Sequence, residues 1–221
     1  MIELKGICKS FKNGDEKLDV LKDLDLVIND GEILAITGPS GAGKSTLLNI
    51  IGMIEPYDKG LYVFNACDAA DYSEKEKARI RNREFGFIVQ DYALVDYYSV
   101  EDNIAIPMVY AGIGKTERIR RTIETLELLG IADKMKCLPG TLSGGQKQRA
   151  AIARAIINDA SVILADEPTG SLDMDTGLAV MRCLRKINEV RGTAIVIVTH
   201  NPEIADMCDR RYELKNSSDH M

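Results

Sequence analysis

The segment GPSGAGKST at residues 38–46 has the residue types and the spacing needed to hold a phosphate group. It matches the pattern GxxxxGK(S/T) and lies between an apolar run and a helical pattern. Glycines in such a loop let backbone N–H groups turn toward a phosphate, and the N-terminus of the following helix adds positive potential. A chance glycine-rich turn rarely combines this spacing with this context, so we predict that the segment binds ATP. The predicted binding residues are Gly38, Ser40, Gly41, Gly43, Lys44, Ser45 and Thr46.

Four side chains predict hydrolysis as well as binding. We expect Lys44 to reach the β- and γ-phosphates and Ser45 to place its hydroxyl on Mg²⁺. Asp166 and Glu167 follow the apolar run at residues 162–165. We expect Asp166 to hold Mg²⁺, directly or through water, and Glu167 to orient and deprotonate the attacking water. Alone, such an acidic pair would more often be a solvated strand end, but beside an intact phosphate-binding loop it indicates an ATPase.

The elements that must position these residues can be predicted from hydrophobic patterns. Short, nearly continuous apolar runs are typical of strands buried on both faces of a parallel sheet, and they occur at residues 33–37, 85–89, 162–165 and 194–198. Helical patterns at residues 46–54 and 175–191 lie between them. A further short strand is expected at residues 211–215.

Two other regions have a different pattern. Alternating apolar residues near the start, such as Ile2 with Leu4 and Leu24 with Leu26, predict half-buried antiparallel strands. Residues 99–158 contain no strand candidate, and their helical patterns, at residues 119–129 and 145–157, predict a helical insertion into an α/β core.

The composition limits the class of protein. With 221 residues, 45% of them hydrophobic, the chain can bury a substantial core. A net charge of -6 argues against a surface built mainly for nucleic acid, although a local basic patch is compatible with it. Without a signal-peptide pattern or an apolar run of about 20 residues, we expect a cytosolic protein, or one bound to a membrane through something else. The widely spaced cysteines indicate reduced thiols; they are Cys8, Cys67, Cys137, Cys183 and Cys208.

The segment LSGGQKQR at residues 142–149 resembles the signature motif of the ABC ATPase family, and the order of the motifs around it matches that family over nearly the whole chain. The resemblance implies a P-loop NTPase fold with a RecA-like core, an antiparallel β-subdomain and an inserted α-helical subdomain. We expect one ABC ATPase domain over residues 1–221. Its core would occupy about residues 1–92 and 159–215, and its helical subdomain about residues 93–158.

The resemblance also implies a head-to-tail dimer, in which the signature of one copy faces the ATP held by the other. The partner is a second copy of the chain or a paralogous ATPase. Ser143 would cap a helix whose N-terminus forms a second anion site. In the motif SLD, Asp173 would cross the dimer interface. The signature residues assigned to the shared site are Ser143, Gly144, Gly145 and Gln146.

The resemblance implies roles for three further residues. Gln90 matches the glutamine that contacts Mg²⁺ and water and links the core to the helical subdomain. His200 matches the histidine that holds the γ-phosphate and orients Glu167. Phe11 lies where the family usually places an aromatic residue, more often tyrosine, to stack on adenine; considered alone, it would more often be a core residue. Tyr92 stands two residues after Gln90, where close relatives often carry phenylalanine.

The segments at residues 1–11, 47–52 and 101–107 resemble the subfamily of macrolide exporters, lipoprotein-releasing complexes and bacitracin-type peptide resistance transporters. This implies an ATPase on the inner face of the cell membrane that powers a separate integral membrane permease, which exports or extracts peptides, antibiotics or lipoproteins.

Two other functions compete with this one. A regulatory or mechanical ATPase of a cell-division-type membrane complex stays open as an alternative. A third class, ABC ATPases that act on translation or DNA, normally shows paired ATPase domains, a long coiled coil or zinc motifs, and the sequence has none of these. Tyr92, Tyr97 and Tyr98 could receive the permease or pack inside the helical subdomain.

Overall fold

Two sheets form the frame of the protein, which the computed structural model describes at residues 1–13 and 16–215. In chain order the strands are β1 (Ile2–Asn13), β2 (Glu16–Ile28), β3 (Ile33–Thr37), β4 (Lys59–Phe64), β5 (Cys67–Asp68), β6 (Phe85–Ile88), β7 (Val162–Asp166), β8 (Ala194–Val198) and β9 (Arg210–Glu213). The first sheet is antiparallel, in the order β2-β1-β4-β5. The second is parallel, in the order β6-β7-β8-β3-β9.

The parallel sheet gathers several loops at one edge. Its strands β3 and β8 are buried along their whole length, as the apolar runs predict. Because the carboxyl ends of parallel strands meet at the same edge of a sheet, the segments that follow β3, β6, β7 and β8 emerge side by side. These are the segments that contain the predicted phosphate-binding loop and three of the predicted site residues, Gln90, Glu167 and His200.

Helices cover both faces of the parallel sheet and fill the insertion. They are α1 (Lys44–Ile51), α2 (Glu74–Glu84), α3 (Val100–Tyr110), α4 (Lys115–Leu128), α5 (Gly144–Ile156), α6 (Met174–Arg191) and α7 (Pro202–Asp206). Within the described chain, α3, α4 and α5 follow one another without an intervening strand, which matches the predicted helical insertion. Ser99 caps the N-terminus of α3, and Ser143 with Gln146 forms a capping box at α5.

Alternation along the buried strands divides the core into two clusters. In β8, Val196 and Val198 belong to a cluster that contains the antiparallel sheet and α1. Ile195 and Ile197 belong to a second cluster that contains α3, α5 and α6. Side chains of a strand point alternately to its two faces, so one buried strand supports both layers. This arrangement fixes the loops at the end of the sheet between two packed faces.

The predicted fold class, an α/β P-loop NTPase with a β-subdomain and a helical insertion, is confirmed. The predicted strands agree with the structure within about one residue at each end, except that the last strand begins at Arg210 and ends at Glu213. The helix predicted at residues 46–54 is displaced, because α1 begins at Lys44 and ends at Ile51. The sequence patterns missed α2, since none of its residues is buried and it has no apolar stripe. In the described ranges, no helix is both long enough and apolar enough to cross a membrane.

Candidate nucleotide-binding site

The loop between β3 and α1 can be built only with glycine at two positions. Gly38 has a φ of 148°, and a Cβ atom there would lie 2.3 Å from the carbonyl oxygen of Leu214. Gly43 has a φ of 91°, and its Cβ atom would lie 2.6 Å from Cγ1 of Val20. Any other residue would therefore push the loop away from β9 or β2. The two glycines hold the loop close to the sheet edge.

The first turn of α1 is open to an anion. Gly43 caps the helix without a side-chain hydrogen bond, and this turn contains no acidic residue among those described. Lys44 folds back over the loop, where Nζ donates hydrogen bonds to the carbonyl oxygens of Gly38 at 2.9 Å and Pro39 at 2.8 Å. Free helix N–H groups and a lysine ammonium are the donors that a phosphate requires. Gly41, with a φ of 79°, and the exposed Ser40 complete the rim of the loop.

Oxygen donors for a divalent cation lie at the start of α1 and at the carboxyl ends of β6 and β7. Ser45 is exposed on α1, next to the half-buried Thr46, and Asp166 is half-buried at the end of β7. Asp166 is in register with Val198 of β8, the strand that lies between β7 and β3. The side chains of Ser45, Asp166 and Gln90 make no hydrogen bond or ion pair with any described residue. Mg²⁺ prefers hard oxygen ligands and usually takes the rest of its coordination shell from water and nucleotide phosphates, so this donor set fits it.

Glu167 and His200 form a hydrogen-bonded pair next to this donor set. Nδ1 of His200 lies 2.7 Å from Oε1 of Glu167, and the His200 amide donates to the same oxygen at 3.1 Å. The Glu167 side chain is 16% exposed, whereas that of His200 is 74% exposed. Glu167 has a φ of 47°, an unfavourable conformation for a side chain with a Cβ atom, and its amide donates to the carbonyl of Val198 at 3.0 Å. The backbone therefore holds Glu167 at this position.

Gln90 reaches the same edge from the neighbouring strand. It follows β6 and is exposed. A Cβ atom at Gly170 would lie 3.4 Å from Cβ of Glu167 and 3.6 Å from Nε2 of Gln90. Both side chains therefore lie against Gly170. The structure thus brings Gln90, Glu167 and His200 together, as their positions after β6, β7 and β8 predict.

The signature motif begins α5 and packs against the start of α6. Ser143 is the N-cap, and its hydroxyl accepts from the Gln146 amide at 3.3 Å. A Cβ atom at Gly144 would lie 3.0 Å from Cδ2 of Leu172, and one at Gly145 would lie 2.7 Å from Cγ2 of Thr176. The two glycines therefore allow the N-termini of two helices to meet within one chain.

Asp173 is bonded within its own chain. It is the N-cap of α6, and its carboxylate accepts from the Thr176 amide at 3.0 Å and from the Thr176 hydroxyl at 2.7 Å. The amide hydrogen bond, followed by that from the hydroxyl, lowers the pKa of Asp173. Its expected contact across a dimer interface is still a prediction, because the structure shows one chain.

Phe11 is not a core residue. It lies on β1 opposite Leu18 of β2, and it is 39% exposed. Nζ of Lys9 is 4.8 Å from the centroid of its ring. A partly exposed aromatic ring can stack on a base, so the expected contact between Phe11 and adenine stays a prediction.

The three tyrosines after Gln90 have different environments. The hydroxyl of the half-buried Tyr92 is 2.9 Å from that of Ser171, so Tyr92 contacts the SLD motif of its own chain. Arg154 of α5 donates to the Tyr92 carbonyl at 2.8 Å, which ties the segment after β6 to the signature helix. Tyr97 is 80% exposed, and its ring meets that of Tyr98 edge to face at 5.0 Å. The sequence did not single out Arg154, because a basic residue in an amphipathic helix carries no local signal of its partner.

A groove of about 1090 Å³ lies between α2, β6, α3 and the end of α5. Aromatic and aliphatic side chains, including Phe85, Phe87, Pro107 and Tyr110, form part of its wall. No acidic side chain lines it in the ranges that the structure describes. The basic residues around it are Lys75, Arg79, Arg81, Arg83 and Arg154. The groove is therefore apolar at its wall and positive at its rim, although the chain is acidic overall.

Comparison with known proteins identifies relatives of this architecture. Residues 21–170 match the family described as ABC transporter. The ABC transporter ATP-binding protein YknY of Bacillus subtilis is 48% identical over 210 residues, which cover 95% of this chain and 91% of that protein. The macrolide export ATP-binding/permease protein MacB of Shigella flexneri is 44% identical over 216 residues, which cover 98% of this chain. The chain spans only 33% of the length of that MacB protein.

Solved structures agree with these relatives. The dimeric ABC transporter cassette MJ0796 has a TM-score of 0.89 at 38% identity, and the match covers 97% of this chain and 94% of that one. The same cassette in a post-hydrolysis state, bound to ADP and Pi, has a TM-score of 0.89 at 36% identity, with 98% and 97% of the two chains covered. Fold, motif order and relatives coincide, and the chain belongs to the ABC transporter family as an ATP-binding domain.

Proposed function

We propose that the chain hydrolyses ATP in a head-to-tail dimer and that the released energy drives a separate integral membrane permease. The observation that carries the proposal is the Glu167–His200 pair at the sheet edge where the phosphate-binding loop also emerges. A carboxylate held by a hydrogen bond beside a phosphate site has the geometry of a general base for a water molecule. The match to a cassette solved with ADP and Pi supports this assignment.

The phosphate-binding loop would hold the triphosphate. The backbone N–H groups of Gly41 and Gly43 and of the first turn of α1 would supply donors, and Lys44 would exchange its two carbonyl partners for the β- and γ-phosphates. Ser45, Asp166 and Gln90 would hold Mg²⁺. Bound there, Mg²⁺ supplies positive charge that offsets the charge on the phosphate oxygens.

Glu167 has one carboxylate oxygen committed and one available. Both donors of His200 reach Oε1, and in the described part of the chain Oε2 has no hydrogen bond. We infer that Oε2 orients the attacking water and accepts its proton. When Nδ1 of His200 carries the hydrogen of the neutral ring, Nε2 is an acceptor and can take a hydrogen bond from a water next to the γ-phosphate. Catalysis of phosphoryl transfer consists mainly of such positioning.

The signature would complete the site of the second copy. Ser143 is exposed at the start of α5, and the Gly144 and Gly145 amides belong to a helix N-terminus that favours anions. The corresponding start of α6, with Asp173, lies beside it. The dimeric state of the cassette MJ0796 supports this arrangement. All the motifs are present in one chain, so a homodimer would contain two competent sites.

The basic groove supports an acidic, partly apolar permease segment as the docking partner. Residues of β6, the strand that leads to Gln90, line the groove. Arg154 also lines it, and it donates a hydrogen bond to the Tyr92 carbonyl. We therefore expect a segment bound in the groove to affect the position of Gln90 through β6 and through Arg154. The exposed pair Tyr97 and Tyr98 would extend this surface. Since MacB relatives are named export ATP-binding/permease proteins, we propose peptides, antibiotics or lipoproteins as the transported class.

A membrane pull-down with the purified chain tests the proposal. We expect recovery of an integral membrane protein that stimulates ATP hydrolysis, and such a complex would support the proposed location of the chain on the inner face of the cell membrane. Transport of a peptide, antibiotic or lipoprotein by that complex would support a transporter, whereas stimulation without transport would favour the regulatory, cell-division-type alternative. Hydrolysis by a strictly monomeric sample, with a specific activity independent of protein concentration, would contradict the shared site.

A further inference from the structure

Lys9 is a buried cation that the proposed mechanism does not use. Its side chain is 7% exposed on β1, and Nζ makes an ion pair with Glu55 at 2.5 Å. Nζ also donates to the Pro56 carbonyl at 2.7 Å. On its other side, the ammonium lies 4.8 Å from the centroid of the Phe11 ring. The ammonium thus has a carboxylate, a carbonyl and an aromatic face around it.

Simple packing does not account for a lysine here. Removing an ammonium from water is costly unless its partners replace the lost hydration, and an aliphatic residue would fill the same space without that cost. Besides its bonds to Glu55 and Pro56, a lysine supplies a cation–π attraction to the face of an aromatic ring, which an aliphatic residue does not. The ring concerned is that of Phe11, which is 39% exposed.

We infer that Lys9 is a positioning residue for Phe11: it holds one face of the ring and leaves the opposite face for a purine base. This inference rests on the proposed stacking role of Phe11. The base would complete a stack of ammonium, ring and purine. Since the ammonium holds the ring in one orientation before the nucleotide arrives, less freedom is lost on binding.

The partners of Lys9 connect this ring to the phosphate-binding loop. Helix α1 begins at Lys44 and ends at Ile51, and the chain then turns back to present Glu55 and Pro56 to Lys9. Asp58 extends the connection, because its carboxylate accepts from the Ser10 amide at 2.8 Å and from the Ser10 hydroxyl at 2.6 Å. One short segment therefore joins the helix that would hold the phosphates to the strand that would hold the base.

Binding of ADP and of inorganic pyrophosphate, measured calorimetrically with Mg²⁺ present, tests the inference. Pyrophosphate has no base, so a residue that acts through Phe11 affects ADP alone. In Lys9→Met we expect the Kd for ADP to rise about 3- to 10-fold, which corresponds to part of the energy of a cation–π contact, and the Kd for pyrophosphate to stay the same.

Two control variants separate the cation from other effects. Glu55→Gln breaks the same ion pair but leaves the ammonium under the ring, so its ADP affinity should stay near the wild-type value. Lys12→Met removes an equal charge from an exposed position on the same strand, so it controls for long-range attraction of the phosphates. If Lys9→Met does not fold, Lys9→Gln replaces it, because glutamine retains a donor for the Pro56 carbonyl. The change in its Kd for ADP is then compared with the change in its Kd for pyrophosphate.

Each outcome decides the question. Equal weakening of ADP and pyrophosphate by Lys9→Met, equal effects of Lys9→Met and Glu55→Gln, or no effect of Lys9→Met would each overturn the inference. Phe11→Ala tests the underlying proposal separately. If Phe11→Ala leaves ADP binding unchanged, the stacking role itself is wrong. If Phe11→Ala weakens ADP binding and Lys9→Met does not, only the role of Lys9 is wrong.

Discussion

Nδ1 of His200 lies 2.7 Å from Oε1 of Glu167, and the backbone amide of His200 reaches the same oxygen at 3.1 Å. A single oxygen of the carboxylate thus receives two donors from one residue of the neighbouring strand. The other oxygen, Oε2, has no hydrogen bond among the described residues. The proposed base, Glu167, and the residue that orients it, His200, can therefore be substituted one at a time.

We predict that Glu167→Gln retains ATP binding and loses turnover by a factor on the order of 10² to 10⁴, as expected when a positioned base is removed. The amide keeps the size of the carboxylate and can still contact His200, but it cannot accept a proton. With hydrolysis blocked, the ATP-bound dimer should accumulate. Phosphate release and size-exclusion chromatography with ATP measure the two effects.

Glu203→Gln is the matched control, since Glu203 is an exposed glutamate on α7, close to His200 in the sequence. It should hydrolyse ATP at the wild-type rate. Normal turnover by Glu167→Gln would remove Glu167 from the role of base and leave the Glu167–His200 contact as a structural feature only.

We predict that His200→Ala lowers kcat by a factor on the order of 10² and leaves the KM for ATP nearly unchanged, because it removes a donor that matters in the reaction rather than in binding. His200→Asn keeps a side-chain donor near Oε1 of Glu167 and should recover part of the lost rate. Steady-state ATPase assays of both variants give the comparison. Equal losses in the two variants would mean that the contact with Oε1 is not what His200 contributes.

Lys44→Met should weaken nucleotide binding itself. Charge-assisted hydrogen bonds contribute about 1.5–3 kcal/mol, which corresponds to a rise of about 10- to 100-fold in the Kd for ATP. Lys186→Met, which removes a charge from an exposed position on α6, should leave the Kd unchanged. Calorimetric titration provides both values, and an unaltered affinity in Lys44→Met would contradict the phosphate-binding role of the loop.

The parts of this site that could be predicted are those that depend on local sequence. The continuous apolar runs before Gly38, Gln90 and His200 predict parallel strands, and parallel strands bring the residues after them to one edge. Contacts between distant residues could not be predicted. The pairs Lys9 with Glu55 and Arg154 with Tyr92 join segments whose separation in the sequence says nothing about their distance in space.

Asp173 can be tested for two roles that the structure separates. As the N-cap of α6 it accepts hydrogen bonds from Thr176, and its depressed pKa means that this contribution to stability is present above the pKa of an unfolded aspartate and is lost as the pH falls through the folded value. Asparagine caps helices as well as aspartate does, whereas alanine does not. We therefore predict a lower Tm for Asp173→Ala and a nearly unchanged Tm for Asp173→Asn.

The ATPase rates of these variants address the second role. If Asp173 also acts across a dimer interface, Asp173→Asn should lose activity while it keeps its Tm. Full activity in Asp173→Asn would restrict Asp173 to capping the helix. Thermal unfolding and phosphate release on the same preparations make the comparison direct.

The basic rim of the groove predicts how a permease is recognised. Arg79 and Arg83 are exposed, lie one turn apart on α2 and line the groove. Their joint reversal to glutamate should abolish recovery of the membrane partner, because an acidic segment would then meet like charge. The ATPase rate of the isolated chain should not change, since neither residue lies at the sheet edge with Glu167.

Arg182 and Lys186 provide a matched control, because they are exposed with the same spacing on α6 and lie outside this groove. Their reversal changes the net charge by the same amount and should leave the pull-down intact. Recovery of the partner should also fall as salt is added, since exposed charges are screened within about 10 Å at 0.1 M ionic strength. Equal losses in the two double variants would mean that net charge, rather than the groove, governs the association, and the partner would then have to be sought at the exposed Tyr97 and Tyr98.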